Sequence, residues 1–240
     1  MTKRKNKNKN NGNKQMTAQR RSKTAPVAMG GVTTKQQSAM PLFAGIGRRM
    51  IVQNYELVSS YASFATDTFA SLQTGKTCNP GIASFVPWLS AIALSYSKFR
   101  WKSLRFIYVP KVSTTTPGQV YINISYDPAD GNPTTLAQVA VADSSSIGPT
   151  WIGGGINQEK AFRSDLGVDE AVFVDVDVKS LTQPYYYVRL QGGLDADSKP
   201  LVVWYGSTGA LNGATYGNTG DLYVAYTIEL FEPVAPALNA

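Results

Sequence analysis

Residues 87–130 read PWLSAIALSYSKFRWKSLRFIYVPKVSTTTPGQVYINISYDPAD, and a change of period inside this run decides the fold. Trp88, Leu89, Ile92, Tyr96 and Phe99 recur near helical spacing behind Pro87, a residue tolerated in a first helical turn, so the spacing predicts an amphipathic helix over 87–98. From Trp101 the period becomes two. Trp101, Ser103, Arg105, Ile107 and Val109 then share one face while Lys102, Leu104, Phe106 and Tyr108 share the other, which predicts a strand ended by Pro110. After the Thr116-Pro117-Gly118 turn the alternation returns over 120–126.

Working outward, residues 50–72 alternate over two strand lengths, first through Ile51, Tyr55 and Leu57, then through Phe64, Phe69 and Leu72. Shorter candidates follow near 147–152, 171–176, 185–190, 201–205 and 222–231, most of them separated by Gly, Pro, Asn or Asp. A second short helix is expected over 134–142. About eight short strands with one or two helices predict an all-β antiparallel sandwich or barrel. No internal repeat is present.

Charge is segregated along the chain. Of the 23 Lys and Arg residues, 12 fall in residues 1–50, which contain no acidic residue, leaving 11 basic against 16 acidic groups in the remainder. Residues 1–23 carry Lys3, Arg4, Lys5, Lys7, Lys9, Lys14, Arg20, Arg21 and Lys23 among Asn, Gln and Gly, with too few aliphatic side chains to offset the entropy of ordering. A disordered basic arm of this kind fits a polyanion, because each cation that neutralises a phosphate releases condensed counterion. A tail kept for solubility and a nuclear address are the competing readings. Residues 24–48 are poor in charge and punctuated by Gly and Pro, as in a linker, either a passive hinge or an arm segment ordered on assembly. Residues 49–240 form the globular part.

Other chemistry is limited by composition. The chain has no histidine and one cysteine, Cys78, which removes His-based triads, the usual zinc sites and any intrachain disulfide. No apolar run approaches the roughly 20 residues that cross a bilayer, and no signal-peptide core follows the basic segment, so neither a membrane nor secretion is indicated. Gly75-Lys76-Thr77 fits a relaxed phosphate loop, but Cys78-Asn79-Pro80-Gly81 continues it as a turn instead of the required helix. Gly153-Gly154-Gly155 reads as a loop, and the sequon at Asn123 falls in a predicted strand. An enzyme and a small-molecule substrate are therefore not expected. Three aspartate pairs stand out: Asp175/Asp177, Asp195/Asp197 and Asp127/Asp130. Each reads either as turn-forming aspartates or as part of an oxygen-ligand cation site that two carboxylates alone do not complete.

The run from Phe85 through Pro110, the Thr-rich turn and the strand entering Asp127-Pro128-Ala129-Asp130 resemble the shell domain of small icosahedral plant-virus coat proteins, those of sobemoviruses and the tombusvirus family. The resemblance covers residues 25–240. It implies an eight-stranded jelly roll that self-assembles into a homo-oligomeric shell of about 180 copies around single-stranded genomic RNA, in the virion and, during assembly, in the host cytoplasm. It further implies Ca2+ held between subunits by Asp127 and Asp130, with Asn239 of the neighbouring copy and main-chain oxygens completing the site. Loss of that ion at raised pH would let carboxylate repulsion loosen the particle. Lys98, Arg100 and Lys102 fall where such shells present a basic inner surface, although strict alternation would set Arg100 and Lys102 opposite Trp101 and Arg105. With nine residues after Phe231, no protruding domain is expected. The alternative from another class is a cellular RNA-binding or chaperone-like jelly-roll protein with a basic tail.

Overall fold

A computed structural model describes residues 42–46, 48–61, 74–153, 156, 161–162, 171–208 and 218–239. Among the described residues, ten strands form two antiparallel sheets. The first contains β1 (Leu42–Ile46), β2 (Arg49–Ser60), β10 (Gly220–Pro233), β4 (Tyr96–Pro110) and β7 (Phe173–Asp175) in that spatial order, with β8 (Tyr186–Tyr187) also paired to β4. The second runs β3 (Thr74–Thr77), β9 (Val202–Thr208), β5 (Gln119–Ser125) and β6 (Ser145–Pro149). Without the short strands β1 and β8, two four-stranded sheets remain, and most connections cross from one to the other. The last long strand, β10, lies between β2 and β4. This is the jelly-roll order, and the eight-stranded expectation stands.

Alternating side chains fill the space between the sheets. Phe99, Trp101, Leu104, Phe106 and Tyr108 of β4 meet Val120, Ile122 and Ile124 of β5, Val203 and Tyr205 of β9, and Leu222, Val224, Tyr226, Ile228 and Leu230 of β10. Aromatic rings dominate the packing. Trp101 contacts Phe85, Phe99 and Tyr226 edge-on at centroid distances of 6.5, 5.7 and 5.8 Å, and its indole N–H donates to the Cys78 carbonyl at 3.1 Å. The buried indole thus satisfies its polar edge while contributing a large apolar area.

Two expectations for β4 are corrected. The helix predicted over 87–98 ends early: α1 spans Pro87–Ala93, and β4 begins at Tyr96. Tyr96 and Phe99, counted toward the helical stripe, already belong to the strand, where Tyr96 pairs with Pro233 and Phe99 with both Leu230 and Tyr186. Tertiary pairing outweighed a spacing that suits either period. Nor is the alternation along β4 strict. Ser103 pairs with Thr227 and Trp101 with Ile228, so Lys102 is the extra residue of a β-bulge. Trp101 consequently faces inward with Leu104, Phe106 and Tyr108, where simple alternation would put it on the opposite face.

Elsewhere the elements fall close to expectation. Within 134–142, α2 spans Leu136–Ala140 and is opened by a capping box in which Thr135 and Gln138 exchange hydrogen bonds with each other's backbone N–H. The second strand expected within 50–72 falls largely outside the described residues. β3 was not anticipated, and β1 lies inside the 24–48 segment, paired to β2 from Leu42↔Gln53 to Ile46↔Arg49.

Candidate functional site

The bulge at Lys102 also decides where the basic residues of β4 point. Arg100 lies opposite Glu229 and Arg105 opposite Ala225, both on the outward face of the first sheet, so the expected opposition between Arg100 and Arg105 is removed. Glu229, whose side chain is only 8% exposed, receives Arg100 Nη2 at 2.5 Å, Arg49 Nη1 at 3.7 Å and Lys102 Nζ at 3.9 Å. Three cations on one carboxylate leave a positive surplus. Aromatic rings hold these cations in place: Arg49 and Arg100 lie over Phe231 at 5.2 and 5.8 Å, Arg100 also over Tyr185 at 5.4 Å, and Lys98 over Tyr187 at 5.8 Å. Lys98 is paired with Glu232 at 3.0 Å. Hydrogen bonds from Lys98 and Ser97 hold the Glu232 carboxyl below its ordinary range. Arg105 grips Asp175 through two contacts, Nε to Oδ1 at 2.5 Å and Nη2 to Oδ2 at 2.7 Å, and is thereby neutralised. The arm residues Lys3, Arg4, Lys5, Lys7, Lys9, Lys14, Arg20, Arg21 and Lys23 lie outside the described residues.

An acidic cleft lies at the exit of β5. The Asp127 carboxylate accepts the Ala129 N–H at 2.8 Å, and the Asp127 carbonyl accepts the Asp130 N–H at 3.1 Å, closing a tight turn around Pro128. Ser125 Oγ lies 3.0 Å from Asp130 Oδ2. Among the described residues, each of the two carboxylates retains an oxygen that accepts no hydrogen bond. The cleft is lined by Asp127, Asp130, Asp143, Gln138, Asn123 and Trp204 among others, with no Lys or Arg among the described residues of its wall. Asn123 is 7% exposed, and its Oδ1 has no hydrogen-bond partner. Trp204 faces Gly75 across the strand pair, where a Cβ would come within 2.4 Å of the indole, so glycine lets the ring lie against β3. The hard oxygen donors of the cleft suit an ion such as calcium.

Asn239 is placed elsewhere in the chain. It closes the C-terminal 3-10 turn (Pro236–Asn239), and its amide donates to the Leu94 and Tyr96 carbonyls, each at 2.8 Å. Its main-chain carbonyl accepts Leu190 N–H at 3.2 Å, and Arg189 Nη1 donates to its Oδ1 at 3.5 Å. Asn239 is therefore fixed against the α1–β4 junction and does not line the cleft. One chain does not bring Asp127, Asp130 and Asn239 together, and among the described residues no group of three or more His, Cys, Asp or Glu has metal-holding geometry. The other aspartates have local partners. Asp177 accepts Ser180 Oγ at 2.7 Å and Lys179 N–H at 3.0 Å, which lowers its pKa, and Asp197 accepts from Gln183 at 2.8 Å. Lys76 and Thr77 sit in β3, paired with Val203 and Val202, so no helix presents them to a phosphate. Asp143, Glu229 and Arg189 escaped the sequence reading, and Asn123 entered it only as a sequon, because the contacts or cleft that make each notable come from strands or loops distant in sequence.

Residues 20–236 match the family described as viral coat protein (S domain). The chain is 32% identical over 218 residues to the capsid protein of tobacco necrosis virus (strain A), covering 88% of this chain and 75% of that one. It is 30% identical over 223 residues to the capsid protein of strain D, covering 90% and 79% respectively. The solved structure of tobacco necrosis virus superposes with a TM-score of 0.73 at 31% identity, over 90% of this chain and 96% of that one. That of Cocksfoot mottle virus shares the fold, with a TM-score of 0.67 at 18% identity over 90% and 98%. A jelly roll matched over nearly its whole length to coat proteins decides between the two readings left by the sequence: the chain belongs to the viral coat protein (S domain) family and is a capsid protein, a component of the virion.

Proposed function

We propose that this capsid protein encloses single-stranded RNA in an icosahedral shell, gripping it with the basic arm and joining neighbouring copies through calcium. The segregation of charge carries the reading: 12 cations and no carboxylate occupy residues 1–50, ahead of a body with 11 basic and 16 acidic groups. A shell of about 180 copies would enclose roughly 2,000 arm charges, enough to neutralise a like number of phosphates. Lys98, Arg100 and Lys102 add a second, weaker contact to the phosphate backbone, since among the described residues they and Arg49 share only Glu229 and Glu232 as counter-charges. Assembly takes place in the host cytoplasm.

Calcium is held by the Asp127 and Asp130 carboxylates of one copy, with Asn239 of the next supplying oxygen from across the contact. The metal offsets the repulsion between two carboxylates three residues apart, so its removal at mildly alkaline pH loosens the shell. Chelator is expected to swell wild-type particles, read by small-angle scattering. Asp127→Asn/Asp130→Asn particles should lose calcium affinity by more than the roughly 10–100-fold seen when an outer-shell partner is removed, and should no longer respond to chelator. Wild-type particles of unchanged radius in chelator would exclude the metal link.

A further inference from the structure

We propose that the acidic cleft of one copy also receives the Arg189 guanidinium of a second copy, with Asp143 as its carboxylate partner. Arg189 is half-buried, lies over Tyr187 at 5.2 Å, and donates to the Val188 carbonyl at 3.1 Å and to Asn239 Oδ1 at 3.5 Å. Among the described residues no carboxylate stands within ion-pair distance of it. Its charge is held in a fixed position with no counter-ion among the described residues, which is costly for a partly desolvated group.

The cleft has the opposite deficit. Asp127, Asp130 and Asp143 line it without any cation among the described residues, and the buried, unpartnered Asn123 Oδ1 adds an acceptor that needs a donor. Asp143 makes no hydrogen bond or ion pair among the described residues. One divalent ion at Asp127 and Asp130 offsets two of the three negative charges and leaves the third. Arg189 carries the matching positive charge and is tied to Asn239, the residue that the calcium reading brings to this cleft from the neighbouring copy; the inference rests on that contact. Exposed apolar groups flank both charges. Leu190 and Leu238, 39% and 72% exposed, border the Arg189–Asn239 corner, and Val141, 82% exposed, lies two residues before Asp143. Their contact would exclude water and strengthen the ion pair between them.

The test is charge exchange in the full-length chain, with assembly followed by sedimentation and scattering with and without chelator. Asp143→Arg and Arg189→Asp are each expected to lower particle yield in chelator by about tenfold or more, and the double exchange to restore it to within about threefold. Single variants that assemble in chelator like wild type, or a double variant no better than either single, would overturn the proposal. Should Arg189→Asp subunits fail to fold, Asp143→Asn decides: unchanged yield in chelator counts against the pair, and a tenfold loss supports it. A drop in calcium per particle in Asp143→Asn would assign Asp143 to the metal and likewise refute the pair. The calcium reading fails separately, since chelator-insensitive wild-type particles whose charge exchange still rescues would retain the ion pair and lose the ion.

Discussion

Removal of residues 1–23 is expected to abolish most of the affinity of this capsid protein for RNA and nearly all of its dependence on salt. The deleted segment carries nine cations: Lys3, Arg4, Lys5, Lys7, Lys9, Lys14, Arg20, Arg21 and Lys23. If each neutralises one phosphate of a single strand, the slope of log affinity against log salt falls by about six on truncation. The intact chain should then lose about three to four orders of magnitude in affinity between roughly 50 and 200 mM salt, and the truncated chain far less. What remains is assigned to Lys35 and Arg48 and to the sheet face, where Arg49, Arg100 and Lys102 share one carboxylate and therefore offer only a small surplus. Filter binding or fluorescence anisotropy across a salt series measures both slopes. A truncated chain that captures full-length RNA as tightly, with the same slope, would remove the arm from its proposed role.

The long strands and the charge segregation were legible in the sequence because both are local patterns. β10 and most of β4 alternate over many residues, and turn-forming residues separate most of the shorter strands. The start of β4 was not legible, since Tyr96 and Phe99 fit a helical stripe as well as a strand and only pairing with Pro233, Leu230 and Tyr186 settles the choice. The Lys102 bulge was hidden for a related reason: an extra residue in one strand exists only relative to its partner. Asp127 and Asp130 were visible as a closely spaced pair, whereas Asp143 enters the same cleft across the α2 turn. The resemblance to coat proteins supplied Asn239, which no local pattern would have singled out. Glu56 is the clearest omission. In sequence it is one carboxylate in an alternating strand, and nothing marks it as facing inward.

Replacement of Glu56 is expected to be among the most destabilising single changes in the shell domain. It is 9% exposed, and its carboxylate accepts the Trp88 N–H at 2.8 Å, the Leu89 N–H at 3.2 Å and the Tyr226 hydroxyl at 2.5 Å. The N-cap residue of α1, Val86, offers no side-chain acceptor, so Glu56 satisfies the first turn from the facing strand and ties α1 to β2 and β10 at once. Glu56→Ala leaves two backbone donors and the Tyr226 hydroxyl proton without an acceptor, a loss of about 3–5 kcal/mol against a typical domain stability of about 5–15 kcal/mol. Glu56→Gln keeps one acceptor oxygen but turns an NH2 toward donors, and should fall between. The pH dependence has a definite sign. Burial raises the Glu56 pKa above its ordinary value, and the hydrogen bonds from Tyr226, Trp88 and Leu89 only partly oppose this. The folded chain therefore holds the proton more tightly than the unfolded one. The stabilisation is fully present below the ordinary carboxylate pKa and declines as pH rises through the raised folded value. Because Gln does not titrate, the stability advantage of wild type over Glu56→Gln should narrow across that window and then level off. Thermal unfolding of unassembled subunits across a pH series reads the difference directly. An advantage that widens with rising pH would mean that the three donors outweigh desolvation, and that the carboxylate is held in its charged form.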